Sequence, residues 1–241
     1  MPVKAAENNK LAAYIDSLAP EQARKALSEI PTIGRKLLAL RSYLRARSTL
    51  ADRWSWTRQE IEAFQESDER QALLAEVAAV IADFAFANPG YTLYANTRVR
   101  SLETQIRKWN TNASVGQAAK ELILAWHEKF PEPMPDLDHL NLLKIRNWLS
   151  QFKPTNRAKL AAPGLTRHGR ANAIDFQVMQ NGKFIAGTDS RQIESVWQKN
   201  GWAIKLKASI LNAGPSFKGP LMRPYEPWHY DYVPTVEGDT I

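Results

Sequence analysis

Apolar positions recur at helical spacing through most of the first 87 residues. Pro20 and Glu21 open a short predicted helix that ends before Pro31. Ile33, Leu37, Leu38, Leu40, Tyr43 and Leu44 mark one face of a longer helix. Thr57, with Glu60 three residues on, forms a capping box for a third. Leu73, Leu74, Val77, Val80, Ile81 and Phe84 lie on one stripe of a fourth, which Asn88-Pro89-Gly90 ends. Stripes of this kind are core-forming faces. Residues 1–87 therefore read as an all-helical N-terminal region whose pattern assigns it no role.

The texture changes after Gly90. Thr92 to Ala95 predicts a short strand, and Ser101 caps a helix through about Trp109. Ser114 with Gln117 forms a second capping box, for a helix reaching Phe130. Pro131, Pro133 and Pro135 make a stiff linker into a helix at about 137–151. Ile174, Phe176 and Val178 alternate with Asp175 and Gln177, the pattern of a half-buried strand. Asn181-Gly182 is a hairpin turn returning through residues 183–186. A helix over about 189–199 and a strand near Trp202-Ala203-Ile204 follow. Tyr225 to Tyr232 is the last aromatic segment before a polar tail. Helices first and mixed elements afterwards predict an α+β fold.

Composition narrows the chemistry. At 44% hydrophobic and 24% charged residues, the 241-residue chain sits at the globular average. Cysteine is absent, which excludes a disulfide framework, a thiolate metal site and a cysteine nucleophile. The net charge is +7: residues 1–80 hold 12 Lys/Arg against 11 Asp/Glu, and residues 81–241 hold 20 against 14. The excess is spread without a run of five like charges, and no nucleic-acid-binding motif accompanies it, so no nucleic-acid partner is expected. The most apolar stretch, Leu73 to Ala87, is interrupted by Glu76 and Asp83, so no membrane span is expected either. Glu7, Lys10, Asp16, Glu21, Arg24 and Lys25 break up any signal-type apolar run. That leaves a protein that stays where it is made, or one whose export signal has been removed.

The histidines carry the remaining information. His127 and His139 fall in predicted helices and read as structural or surface residues. His168 lies in the loop Thr166-Arg167-His168-Gly169-Arg170, and Asp175 follows on the hairpin strand. Since Ile174, Phe176 and Val178 need the core, Asp175 projects from the other face, where a semi-buried carboxylate needs a partner. Glu226-Pro227-Trp228-His229 is the second element. Residues three apart in a regular strand face opposite ways, but Pro227 favours a bend that would turn Glu226 and His229 toward one cavity. Alone, the tetrapeptide reads as an edge strand with a surface glutamate and an aromatic-packed histidine. Combined with His168 and Asp175, it supplies two imidazoles and one carboxylate, the ligand pattern of a catalytic zinc that keeps a fourth position for water. Glu226, outside that set, is then a proton acceptor.

Thr166-x-His168-x6-Asp175 followed by Glu226-Pro-Trp-His229 resembles the zinc D-alanyl-D-alanine carboxypeptidases of the VanY-like type. The same family includes D-Ala-D-Ala dipeptidases and phage endolysins. Its pattern is Ser-x-His-x6-Asp and Glu-x-x-His, preceded by Gly-Tyr-Arg-Ser-x-x-x-Gln, against which Val99-Arg100-Ser101 through Gln105 stands in order. The resemblance covers roughly residues 88–233 and implies a small antiparallel-sheet zinc-peptidase core with flanking helices, in a domain over 88–241. It implies Zn2+ on His168, Asp175 and His229, with Glu226 as general base. It implies Arg100 at the oxyanion of the tetrahedral intermediate, and Thr166, Gln105 and Trp228 as substrate contacts. Three departures stand out: Thr166 replaces serine, Ala171 stands where glycine is usual, and Arg98-Val99 replaces Gly-Tyr, making Arg98 a rival of Arg100.

The expected activity is hydrolysis of peptidoglycan stem peptides at the cell wall or periplasm, as a D-Ala-D-Ala carboxypeptidase. Tyr225, Trp228 and Tyr230 would wall the pocket, and residues 206–224, cornered by Gly214-Pro215 and Gly219-Pro220, would form a lid. Two alternatives keep the fold: an endolysin cutting L-Ala-D-Glu bonds after release by a separate pore-forming protein, and a non-catalytic wall-binding module.

Overall fold

The computed structural model describes residues 2–131, 133 and 135–234; Glu132 and Met134 of the proline-rich stretch, and the polar tail from 235, lie outside the described residues. In chain order the helices begin with α1 (Pro2–Leu18), α2 (Arg24–Ser28), α3 (Ile33–Ala46) and α4 (Leu50–Arg53). Next come α5 (Arg58–Gln65) and α6 (Asp68–Ala87), then strand β1 (Tyr91–Ala95). Helices α7 (Leu102–Thr111), α8 (Ala113–Lys129) and α9 (His139–Gln151) follow. The hairpin β2 (Ala173–Gln180) and β3 (Lys183–Ala186) leads to α10 (Trp202–Ala213). Four short strands end the fold: β4 (Phe217–Lys218), β5 (Leu221–Met222), β6 (Tyr225–Glu226) and β7 (His229–Tyr232). The mixture is α+β with an antiparallel sheet.

The chain divides into two units that do not follow a single cut at 87/88. Unit 1 takes residues 1–56 and 100–169, and unit 2 takes 57–99 and 170–241. The reason is the apolar stripe of α6. Leu73, Val77, Val80 and Phe84 are buried, and α6 packs against β1, the next element, and against α10, far along the chain.

Unit 1 is helical. Its core gathers Tyr14, Leu37, Leu40, Trp109, Trp126 and Leu149 from α1, α3, α7, α8 and α9. Each large apolar side chain removed from water contributes about 1.5–3 kcal/mol. The start of α8 differs from the expected capping box: the cap is Asn112, whose Oδ1 accepts from the Val115 N–H at 3.2 Å. Ser114 instead donates to that same oxygen at 2.7 Å.

Unit 2 holds the sheet. β2 is its centre, pairing antiparallel with β1 and β3 toward its C-terminal end and with β7 over Ala173–Asp175; β4 pairs with β7. Ile174, Phe176 and Val178 are buried, as their alternation predicts. Asn181 (φ 48°) and Gly182 (φ 74°) both adopt the left-handed backbone that a tight hairpin turn needs. Two expectations fail here. Trp202-Ala203-Ile204 opens helix α10 instead of a strand, because Trp202, Leu206, Ser209 and Ile210 form one buried face on α6. That helix also occupies the first part of the segment expected to be a lid. The predicted helix over 189–199 is a 3-10 turn (Ser190–Gln192) running into a π-helix (Ile193–Gln198) that buries Trp197. Among the described residues, no helix is long and apolar enough to cross a membrane.

Candidate metal centre

Sheet register sets the first pair. Asp175 and His229 are direct partners across the β2–β7 ladder. Opposed residues share a face, and Asp175 Oδ1 lies 3.0 Å from His229 Nδ1. Along β7 the alternation sends His229 and Asp231 to that face and Tyr230 and Tyr232 to the other. The bend at Pro227 forms as expected: β6 ends at Glu226, Pro227 and Trp228 make a turn, and β7 starts at His229. The Phe176 N–H donates to the Trp228 carbonyl at 2.9 Å and ties this turn to β2. Glu226 Oε2 thereby comes within 3.9 Å of His229 Nδ1.

His168 reaches the group from the segment that carries the chain into β2. It sits on a 3-10 turn, Arg167–Gly169, closed by the Gly169 N–H donating to the Thr166 carbonyl at 3.0 Å. The Arg100 N–H donates to the His168 carbonyl at 2.8 Å, and the Trp56 N–H to the Gly169 carbonyl at 2.9 Å. Gln105 locks the loop from within. Its Nε2 donates to the Arg100 carbonyl (2.7 Å) and Ser55 Oγ (2.9 Å), while its Oε1 accepts from the Gly164 N–H (2.8 Å). Gly169 is glycine for lack of room: a Cβ there would lie 2.0 Å from Ser55 Oγ and 2.8 Å from Gln105 Nε2. Two residues on, Ala171 holds φ 57°, left-handed backbone that glycine adopts at less cost.

One donor atom from each of His168, Asp175 and His229 lies within 4.8 Å of the other two. Two imidazole nitrogens and a carboxylate oxygen, half-buried to buried, fit a divalent cation such as Zn2+, whose tetrahedral ligands stand about 3.3 Å apart. The Asp175–His229 edge is already close to that spacing. Asp231 completes the surroundings: its Oδ1 lies 3.4 Å from His229 Nε2. His229 thus turns Nδ1 toward Asp175 and Nε2 toward a second carboxylate, the arrangement that orients a ligating imidazole. Burial alone would lower the His229 pKa, but hydrogen bonds and charge from Asp175 and Asp231 outweigh it and raise the group to about 9. Burial, reinforced by Asp175 and opposed by His229, raises the Glu226 carboxyl.

Other expected residues land differently. Gln105 is 7% exposed and its amide is engaged inside unit 1, so it positions the His168 loop rather than reaching a substrate. Trp228 is 3% exposed, with its ring 5.9 Å from that of Trp197; it packs the turn and does not wall an open pocket. Tyr230 lies on the core face, 6.1 Å from Phe176. Thr166 is half-buried, and Arg98 is exposed. Asp231 was not anticipated, although its place two residues beyond His229 on a strand is the signal that could have found it. Comparison with family models, curated proteins and solved structures finds no match to this chain.

Two expected results follow from these contacts. Gly169→Ala forces Ser55 and Gln105 apart in a filled site, so unfolding by denaturant should show a loss of about 1–3 kcal/mol. Metal affinity should fall with it, because the displaced backbone carries His168. Asp231→Asn removes the charge facing His229 Nε2, and chelator competition should show metal binding about 10-fold or more weaker, with the fold intact. Unchanged affinity would mean that Asp231 does not orient the ring.

Proposed function

We propose that the protein is a zinc-dependent peptidase of peptidoglycan stem peptides, acting as a D-alanyl-D-alanine carboxypeptidase. One observation carries the reading: His168, Asp175 and His229 converge, with the Glu226 carboxylate 3.9 Å from His229 Nδ1. The resemblance of those four residues in sequence to the VanY-like pattern supports the substrate class.

His168, Asp175 and His229 would hold Zn2+, which when bound would acidify a water and polarise the scissile carbonyl. Glu226 takes the proton of the attacking water and returns it to the leaving amine; burial, by raising its pKa, makes it a stronger proton acceptor. Asp231 holds the His229 ring, and the Arg100 N–H holds the His168 backbone. The Arg100 guanidinium is assigned to the oxyanion, as a fixed planar cation whose contact matters as charge develops. Thr166, on the turn that bears His168, offers a hydroxyl to the substrate's terminal carboxylate.

A carboxypeptidase needs that free carboxylate. A stem peptide ending in D-Ala-D-Ala should therefore lose a single D-Ala, and converting its terminus to an amide should suppress cleavage strongly. Equal cleavage of the amide, or an L-Ala-D-Glu cut in wall material, would overturn the carboxypeptidase assignment in favour of an endolysin using the same chemistry.

A further inference from the structure

Grouping the charges by unit relocates the chain's positive excess. Unit 1 carries 21 Lys and Arg against 11 Asp and Glu, whereas unit 2 carries 11 against 14. Part of the excess surrounds one cavity of about 620 Å³ within unit 1. Arg41 and Arg45 enter it from α3, Arg53 from α4, and Lys153 and Arg157 from the segment after α9; no Asp or Glu lines it. Among the described residues, none of the five is in an ion pair. Arg41 donates through Nε to the Phe152 carbonyl at 2.6 Å, which leaves both terminal nitrogens for a ligand. Burial first, and the neighbouring Arg45 second, push the Arg41 pKa down to about 10.

The cleft is also held in shape. Glu121, outside the cavity, accepts the Thr155 and Asn156 N–H groups at 2.5 and 3.1 Å and pins the loop that presents Lys153 and Arg157. Five like charges converging on a pre-formed cavity repel one another unless an anion joins them, and guanidinium forks match phosphoryl oxygens bidentately. The volume is that of a small-molecule site. Trp109, the aromatic residue of the lining, is 1% exposed and offers no free face on which a base could stack.

We propose that this cleft binds a multivalent phosphate-type oxyanion of small-molecule size, carrying at least two phosphoryl groups. The site is separate from the metal centre and does not depend on the peptidase reading.

Inorganic pyrophosphate, titrated calorimetrically into the full chain at low salt, is the probe. Arg45→Glu with Arg157→Glu reverses two exposed charges and should weaken binding at least 10-fold, whereas His168→Ala should leave it unchanged. If the double reversal fails to fold, Arg45→Gln with Arg157→Gln should give the same direction with a smaller loss. Affinity unaffected by either arginine pair, or no binding at millimolar pyrophosphate, would overturn the proposal. So would dependence on His168, which would place the anion on the metal. Tighter, arginine-dependent binding of a single-stranded oligonucleotide would replace it with a nucleic-acid site.

Discussion

The His168→Ala protein should lose stoichiometric zinc, with affinity reduced more than about 100-fold relative to the native chain. The argument is one of donor count. Removing this imidazole leaves Asp175 and His229, whose 3.0 Å contact then persists as an ion pair. Two protein donors are too few for Zn2+, which takes three protein ligands at catalytic sites. The backbone around residue 168 should survive, since its hydrogen bonds run through the His168 and Gly169 carbonyls and not the ring. Circular dichroism should therefore stay native while elemental analysis falls. Zinc retained at full stoichiometry and affinity would remove His168 from the site.

Glu226→Gln should show the opposite separation. The amide keeps the shape of the side chain but cannot accept a proton, so turnover should drop about 10²–10⁴-fold. Zinc content should remain that of the native protein, because the carboxylate stands outside the His168, Asp175 and His229 group. KM should change far less than kcat, since the proton transfer belongs to the transition state. Activity near native would end the general-base role, and loss of zinc would move Glu226 among the ligands.

Much of this site is legible in the sequence because its determinants are local. Alternation in Ala173–Gln180 fixes the face of Asp175, and Pro227 signals the bend that turns Glu226 toward His229. What sequence reading misses depends on distant partners. Trp202 to Ile204 looks like a strand in a three-residue window, and only the spacing out to Ile210, met by the stripe on α6, makes it a helix. Gln105 is a polar residue in a motif, and polarity alone does not say that its partners are Ser55 and Gly164, 50 and 59 residues away. The division of the chain is hidden for the same reason. Residues 57–87 have the same helical periodicity as those before them, but their buried face finds part of its cover beyond residue 200. Net charge counted over residues 1–80 and 81–241 likewise spreads an excess that the folded chain collects in one unit.

The most direct measurement is mass spectrometry of purified muropeptides incubated with the zinc-loaded protein, with a chelator control and the Glu226→Gln variant alongside. The expected result is loss of one D-Ala from stem peptides ending in D-Ala-D-Ala, abolished by the chelator and by the variant while the variant keeps its zinc. Intact muropeptides after prolonged incubation with protein shown to hold one zinc on His168, Asp175 and His229 would contradict the account and leave a metal-binding wall module in its place.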